Sequence, residues 1–208
     1  MNRDEIRREL FAGHDPQMLE RWQNAIVGIA GAGGLGSNIA ISLARAGVGT
    51  LIIADFDTIS ISNLNRQQFF LDQAGQLKVE AMKTNLERLN PFTHIIIHSI
   101  KVTPANVETL FGTADIMIEA FDLAEQKQML IETWQELYPA KPIIAASGLA
   151  GVGRNELLKT TRIDNLYIIG DGVSELTPGI SPISARVAVV ANMQANLCLE
   201  LLYSRSQR

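Results

Sequence analysis

Gly31-Ala32-Gly33-Gly34-Leu35-Gly36 is the stretch that decides the fold of this chain. It follows a short apolar run at residues 25–30 and precedes a helix-forming stretch at residues 35–46. Glycines at this point permit a tight turn and let a phosphate group approach bare backbone. The start of the helix adds unpaired N–H groups and the positive end of its dipole. The pattern therefore predicts a strand, a phosphate-binding turn and a helix.

Further short apolar strands alternate with helices along the rest of the chain. Strands are predicted at residues 50–54, 93–98, 115–119, 142–146 and 166–169, and helices at residues 76–89, 124–137 and 184–203. Apolar strands separated by helices are typical of a parallel sheet that is covered on both faces. We predict a Rossmann-like α/β fold with an open, mostly parallel sheet. Residues 1–208 contain no linker and are predicted to form a single domain, with a helix at residues 3–11 outside the sheet.

Composition describes an ordinary globular protein. Of the 208 residues 47% are hydrophobic and 19% charged, and the net charge of −4 gives no reason to expect nucleic acid as a partner. The most apolar segment, residues 187–199, is short for a membrane span and contains Asn192, Gln194 and Asn196, so a buried helix is predicted. The charged start MNRDEIRREL lacks the apolar core of a signal peptide, and a cytoplasmic protein is expected.

Acidic and basic residues that follow the second predicted strand favour ATP over NAD. Asp55 ends that strand, where a carboxylate can accept hydrogen bonds from ribose hydroxyls in either nucleotide. A triphosphate that is about to be split also needs fixed cations, and Arg66 and Lys78 are the candidates. Asp57 could hold a divalent metal ion that bridges the phosphates. The combination predicts a nucleotide site that performs phosphate chemistry.

Three longer stretches carry a resemblance to a known family. They are ADFDTISISNLNRQ at residues 54–67, GQLKVEAMKTNLERLNPF at 75–92 and DIMIEAFDLAEQK at 115–127. Together with GAGGLG they resemble the ThiF/MoeB/HesA family, the prokaryotic relatives of ubiquitin-activating enzymes. The resemblance covers residues 25–129 and, more loosely, the remainder. It implies adenylation, with ATP and Mg²⁺, of the C-terminal glycine carboxylate of a small ubiquitin-like carrier protein that ends in Gly-Gly.

The resemblance also implies roles for individual positions. The position of Gly34 lies against the phosphates and that of Asp55 holds the ribose, while the positions of Asp57 and Asp122 are associated with Mg²⁺. The implied catalytic residues are Arg66, Lys78 and Asp122. The implied nucleotide-binding residues are Gly31, Gly33, Gly34, Gly36, Asp55, Asp57, Ser62, Asn63, Asn65, Arg66, Gln67 and Lys78. Because a carboxylate is already ionised at neutral pH, the implied reaction needs no general base.

The chain departs from the family pattern in three places. Many members carry two C-x-x-C pairs for structural zinc and a cysteine that handles sulfur, whereas this chain has only Cys198, which is predicted to be a buried core thiol. We therefore expect no structural zinc and chemistry that ends at adenylation. Asp122-Leu123 stands where Asp-Asn is common. An N-terminal arginine that reaches a neighbouring subunit's nucleotide is missing as such; Arg7 or Arg8 could replace it in the homodimer that the family commonly forms.

Within the family, the chain resembles a short ThiF-type adenylyltransferase of the sulfur carrier ThiS in thiamin thiazole biosynthesis. The stretches NRQQFF, AASGLAG and PISARVAVVANMQANL carry that resemblance. A carrier tail is expected to pass near Ser147-Gly148 and Asp171-Gly172. Other functions remain open: ATP-dependent activation of another substrate, by a tRNA-base dehydratase or a peptide-modifying adenylase, an NAD-binding oxidoreductase, or a nucleotide-sensing module without chemistry.

Overall fold

A computed structural model describes residues 1–174 and 180–204 of the chain. In that part the strands form one seven-stranded sheet of order β3-β2-β1-β4-β5-β7-β6. All neighbouring strands are parallel except β6, which runs antiparallel to β7. The strands are β1 (Ile26–Ala30), β2 (Thr50–Ala54), β3 (His94–His98), β4 (Ile116–Glu119), β5 (Ile143–Ala146), β6 (Lys159–Ile163) and β7 (Leu166–Gly170).

Helices cover both faces of this sheet, which confirms the predicted fold class. α3, α4 and α7 pack on one face, and α5 and α6 pack on the other. Over residues 1–174 and 180–204, no helix is long and apolar enough to cross a bilayer. The helices are α1 (Arg3–Leu10), α2 (Pro16–Asn24), α3 (Gly34–Ala46), α4 (Lys78–Leu89), α5 (Val107–Phe111), α6 (Ala124–Leu137) and α7 (Ser184–Ser204), with 3₁₀ turns at Ile61–Asn63, Leu71–Gln73 and Asn155–Leu157.

The central strands are buried on both faces, which explains their unbroken apolar sequences. In β1, Val27 and Ile29 point into the core under α3 and α7, whereas Ala30 points into the core under α5 and α6. Gly28 shares that second face. A Cβ there would lie 2.9 Å from both Met117 and Phe111, so the glycine lets α5 pack directly onto the sheet.

Three elements were missing from the sequence prediction: α2, α5 and β6. α2 begins with a clear signal, because the carboxylate of Asp15 accepts hydrogen bonds from the N–H groups of Gln17 and Met18. It is held to the last helix by Trp22, whose Nε1 donates to the Leu199 carbonyl at 3.0 Å. All five residues of β6 are exposed, so a search for apolar strands could not find it.

The strand order places a crevice beside β1. The chain leaves β1 towards β2 and β3 on one side and later returns to place β4 on the other side. Helices therefore diverge from the carboxyl ends of β1 and β4, and ligands of open α/β sheets bind at such a point. The glycine turn follows β1, and the turn that starts at Ala120 follows β4. The backbone N–H of Ala120 donates to the Ala30 carbonyl, 2.9 Å away, and joins the two turns at their base.

Removing side-chain volume from β4 should test how much of the stability lies in this core. Ile118 is fully buried, whereas Ile163 on β6 is 55% exposed. We expect Ile118→Ala to lower the free energy of unfolding by about 2–5 kcal/mol, because it removes buried methyl groups and leaves a cavity. Ile163→Ala, the matched control, should change it by no more than about 0.5 kcal/mol. Urea denaturation measures both, and equal losses would contradict the assignment of the core.

Candidate functional site

The glycine turn is closed by direct contact between its own backbone groups. A Cβ on Gly36 would lie 1.9 Å from the Gly31 carbonyl oxygen, and Gly31 has a positive φ of 103°. No other residue fits at either position without moving the backbone. α3 begins at Gly34, and the first N–H groups of a helix have no partner within the helix. The turn therefore presents bare N–H groups at the crevice.

Asp55 fixes this turn from the end of β2. Its carboxylate accepts hydrogen bonds from the N–H of Ala32 at 2.7 Å and from the N–H of Asp57 at 2.8 Å. Burial raises the pKa of Asp55, while the hydrogen bond from Ala32 and the positive charge of Lys78 oppose that rise. The side chain that was predicted to bind ribose thus also joins β1 to β2.

A cavity of about 860 Å³ opens between the glycine turn and the turn after β4. That volume lies in the range of small-molecule and cofactor sites. Its wall collects predicted site residues from distant parts of the sequence. Those that line it are Gly31, Gly33, Gly34, Asp55, Asp57, Arg66, Gln67, Lys78 and Asp122.

The two predicted phosphate-binding cations line the same cavity as the glycine turn. The aliphatic part of Arg66 covers Gly34, since a Cβ on Gly34 would lie 3.6 Å from the Arg66 Cγ. The guanidinium Nη1 of Arg66 donates to the side chain of Asn65 at 2.8 Å. Nζ of Lys78 lies 2.6 Å from a carboxylate oxygen of Asp57. The Lys78 side chain is 8% exposed and that of Asp57 is 50% exposed, so the pair places the buried cation beside a carboxylate that is open to solvent.

Four predicted nucleotide-binding residues lie outside the cavity wall. Asn63 accepts a hydrogen bond from the Ser60 N–H at 3.1 Å and shapes the loop that carries Arg66. Asn65 restrains the Arg66 guanidinium directly. These residues support the site in the structure, and their contact with a nucleotide stays a prediction. The four are Gly36, Ser62, Asn63 and Asn65.

Gln67 has an unsatisfied polar atom beside the turn. Its side chain is buried, and Oε1 has no hydrogen-bond partner among the described residues. Nε2 lies 3.7 Å from the position that a Cβ on Gly33 would take. Buried polar groups are nearly always hydrogen-bonded in folded proteins, so an amide left open here fits a site that is completed by a ligand or by water.

Glu119 and Lys127 belong to the cavity wall and were missed by sequence analysis. Glu119 is fully buried, and Lys127 Nζ lies 3.0 and 2.9 Å from its two carboxylate oxygens. Burial raises the pKa of Glu119, and the charge of Lys127 opposes that rise. The available signal was a carboxylate at the end of the otherwise apolar strand IMIE.

An apolar wall at another part of the cavity was also missed. Phe56, Ile100 and Leu123 are 51%, 44% and 56% exposed, which is high for large apolar side chains. Aromatic and aliphatic walls are common where a ligand presents a flat apolar group. The side chains of this wall are those of Phe56, Ile100, Val102, Phe121, Leu123 and Ile131.

The loops after β5 and β7 form the remaining wall, near the expected path of a carrier tail. A Cβ on Gly148 would lie 2.1 Å from the Asp171 carboxylate, so the two loops are in close contact. Asp171 is paired with Arg186 at the start of α7 at 2.6 Å, and Arg186 also donates to the Gly153 carbonyl. Ala150 N–H donates to the Ser174 hydroxyl at 3.2 Å. The passage of a tail along this wall stays a prediction.

Two further sequence predictions concern Cys198 and the N-terminal arginines. Cys198 is fully buried, as predicted, and burial raises the pKa of its thiol. Arg7 donates to the Gln23 side chain at 2.8 Å and lies over the Phe92 ring. Arg7 is therefore engaged within its own chain, and a role for Arg7 or Arg8 across a dimer interface stays a prediction.

Comparison with known proteins identifies the family. The model of the ThiF family matches residues 6–208. The chain belongs to the ThiF family. This agrees with the resemblance of the glycine turn and the Asp55–Gln67 segment.

Relatives of this ThiF family chain carry adenylyltransferase names. It is 30% identical over 175 residues to the adenylyltransferase and sulfurtransferase UBA4 of Candida glabrata, which covers 79% of this chain and 40% of that protein. It is 36% identical over 104 residues to the probable adenylyltransferase/sulfurtransferase MoeZ of Mycobacterium tuberculosis, covering 50% and 26%. The chain thus spans less than half the length of these curated relatives.

Among solved structures, the fold is similar to that of the E. coli tRNA N6-threonylcarbamoyladenosine dehydratase TcdA in complex with ATP. The TM-score is 0.89, and the similarity covers 98% of each chain. Sequence identity is 20%, so the comparison shows a shared fold.

The Asp171–Arg186 pair should make stability depend on pH in the acid range. Hydrogen bonds from Ser174, Val173 and Arg186 outweigh burial, which acts in the opposite direction, and lower the pKa of Asp171 to about 2. A lowered pKa stabilises the fold above the unfolded value of about 3.9. That contribution is lost as pH falls through about 2.

We expect Asp171→Asn to be less stable than wild type at neutral pH, and the difference in Tm to shrink as pH falls from about 4 to about 2. Asp72→Asn, at an exposed carboxylate, serves as the control and should follow wild type throughout. A difference in Tm that stays constant over this range would show that Asp171 does not titrate as stated.

Proposed function

We propose that this ThiF family chain is an ATP- and Mg²⁺-dependent adenylyltransferase of a ubiquitin-like sulfur carrier with a Gly-Gly terminus. The ThiS-type carrier of thiamin thiazole biosynthesis is the proposed substrate. The observation that carries the proposal is the convergence of Arg66, Lys78 and Asp122 on one cavity beside Gly34. The adenylyltransferase names of UBA4 and MoeZ support it.

The cavity offers a complementary surface for each part of ATP. The apolar wall that includes Phe56 and Leu123 suits the adenine base, and Asp55 suits the ribose hydroxyls. The N–H groups at the start of α3, with Arg66 and Lys78, suit the phosphates, because a helix N-terminus and fixed cations both stabilise anions. NAD would leave this pair of cations without a clear role.

Asp57 and Asp122 fit the requirements of a Mg²⁺ site. Mg²⁺ is usually bound by one or two carboxylates together with substrate phosphates, and these two carboxylates line the cavity that receives the triphosphate. When bound, Mg²⁺ would neutralise charge on the phosphate oxygens. Among the residues that the structure describes, no group of three or more His, Cys, Asp or Glu side chains could hold a metal by itself, so phosphates would have to complete this site.

The proposed reaction forms one bond and breaks one bond at phosphorus. An oxygen of the carrier's terminal carboxylate attacks the α-phosphorus of ATP, and the bond from that phosphorus to the α,β-bridging oxygen breaks. Pyrophosphate leaves with the electron pair, and the carrier becomes an acyl-adenylate. The protein's task is to hold two anions in line and to stabilise the charge that builds on the leaving group.

The wall beside Gly148 and Ser174 offers an entry for the carrier tail. Glycines carry no side chain, so a Gly-Gly terminus needs little width along this wall. Cys198 is the chain's single cysteine and is buried, so transfer of sulfur would fall to another protein. We propose that the enzyme acts in the cytoplasm as a homodimer.

Carrier-dependent exchange of labelled pyrophosphate into ATP tests the proposal. We expect exchange with ATP, Mg²⁺ and a ThiS-type carrier, and no exchange with a carrier that lacks its terminal Gly-Gly, since the attacking carboxylate would no longer reach the α-phosphorus. Absence of exchange with every such carrier, despite ATP binding, would contradict the proposal. ATP hydrolysis that depends on tRNA and is independent of a carrier would favour a dehydratase instead.

Substitution of the two cations should slow the exchange without unfolding the protein. Arg66→Ala and Lys78→Ala should each reduce kcat about 10²–10³-fold, the usual effect of removing one charged donor from a transition state. Lys83→Ala on the same helix as Lys78 is the control, because the Lys83 side chain is 41% exposed and its ion pair, within the described residues, is with the surface residue Glu87. Rates of all three variants close to wild type would remove Arg66 and Lys78 from the mechanism.

A further inference from the structure

The turn that carries Asp122 is held from below by a buried carboxylate. Asp122 is exposed, lines the cavity and makes no hydrogen bond or ion pair within the described residues. Its direction therefore depends on the backbone of the turn at residues 120–123. The N–H of Phe121, in the middle of this turn, donates to a carboxylate oxygen of Glu119 at 2.6 Å.

Glu119 joins this turn to two neighbouring elements. Lys127, the fourth residue of α6, contacts both of its carboxylate oxygens at 2.9 and 3.0 Å. The backbone N–H of Ala146, at the end of β5, also donates to Glu119. The turn at residues 120–123, which contains Asp122, therefore lies between two residues that contact each other, Glu119 at the end of β4 and Lys127 in α6.

The burial of Glu119 indicates that it supports the site and is not a catalytic residue. Glu119 borders the cavity, but its side chain is 0% exposed and its carboxylate is engaged by Phe121, Lys127 and Ala146. Lys127 is 22% exposed, and its ammonium group is engaged by Glu119. A buried carboxylate is costly unless it is paired and hydrogen-bonded. The Glu119 carboxylate accepts four hydrogen bonds, all from groups of the protein. These bonds fix the turn.

We propose that Glu119 is the positioning residue of Asp122, because its carboxylate holds the Phe121 N–H and so fixes the direction in which Asp122 faces the cavity. This inference rests on the proposed role of Asp122 at the metal–phosphate site. It extends that role to Glu119, which would act through Asp122. The alternative is a buried ion pair that contributes only to stability.

A pair of neutral variants separates the two explanations. In a Lys127→Met background, Glu119→Gln keeps an acceptor for the Phe121 N–H, whereas Glu119→Leu has a similar volume and no acceptor. Neither variant buries an unpaired charge. Thermal denaturation checks that both variants fold. If Glu119→Leu does not fold, Glu119→Met takes its place.

The decisive measurement is a double-mutant cycle with Asp122→Asn. We expect the Leu variant to have a kcat for exchange about 10²-fold below that of the Gln variant, with little change in KM for ATP, as for loss of a transition-state interaction. In the Asp122→Asn background the difference between Leu and Gln should disappear, since Glu119 acts through Asp122. Equal Leu-to-Gln ratios in both backgrounds, or no difference in either, would overturn the proposal.

A binding measurement keeps the test independent of the carrier. Calorimetry with α,β-methylene-ATP, with and without Mn²⁺, gives the gain in affinity that the metal provides. We expect that gain to be smaller for the Leu variant than for the Gln variant, and equal for the two when residue 122 is Asn. If no carrier supports exchange, the proposed function fails. The calorimetric comparison of the Leu and Gln variants still decides whether Glu119 positions Asp122. Equal metal-dependent gains for Leu and Gln with Asp122 present would contradict the inference.

Discussion

The contact between Gly31 and Gly36 is the constraint on which the site depends. Only hydrogen fits where a Cβ on Gly36 would lie 1.9 Å from the Gly31 carbonyl oxygen. Because the turn is this tight, α3 begins directly over the end of β1 and its N–H groups face the crevice. Asp55 holds the turn from β2, and the Ala120–Ala30 hydrogen bond holds the opposite turn. The cavity is therefore a consequence of how β1, β2 and β4 end.

The charged side chains around the cavity fall into two groups, those held in ion pairs and those without an ionic partner. Lys78 is buried against Asp57, and Glu119 is buried against Lys127. Arg66 and Asp122 lack an ionic partner among the described residues and both line the cavity. Arg66 and Asp122 are therefore available to a substrate, whereas Lys78 and Asp57 would meet the phosphates and the metal while they are held beside each other.

Much of the fold could be predicted because its signals are local. The strand Thr50–Ala54 and the helix Ala124–Leu137 have the predicted bounds, since each is an apolar or periodic run between clear breaks. β6 could not be found this way, because its pairing with β7 leaves all of its residues exposed. Glu119 was missed for a related reason: its role depends on Lys127 and Phe121 after folding, and the strand sequence shows only one polar residue.

The most direct test is a crystal structure with α,β-methylene-ATP and Mn²⁺, using anomalous scattering to locate the metal. We predict phosphates against the backbone N–H groups at Gly34, within hydrogen-bonding distance of Arg66 and Lys78. The metal should lie between the phosphates and the carboxylates of Asp57 and Asp122. Phosphates bound elsewhere, or a metal that contacts neither carboxylate, would contradict the claim that these side chains form one triphosphate site.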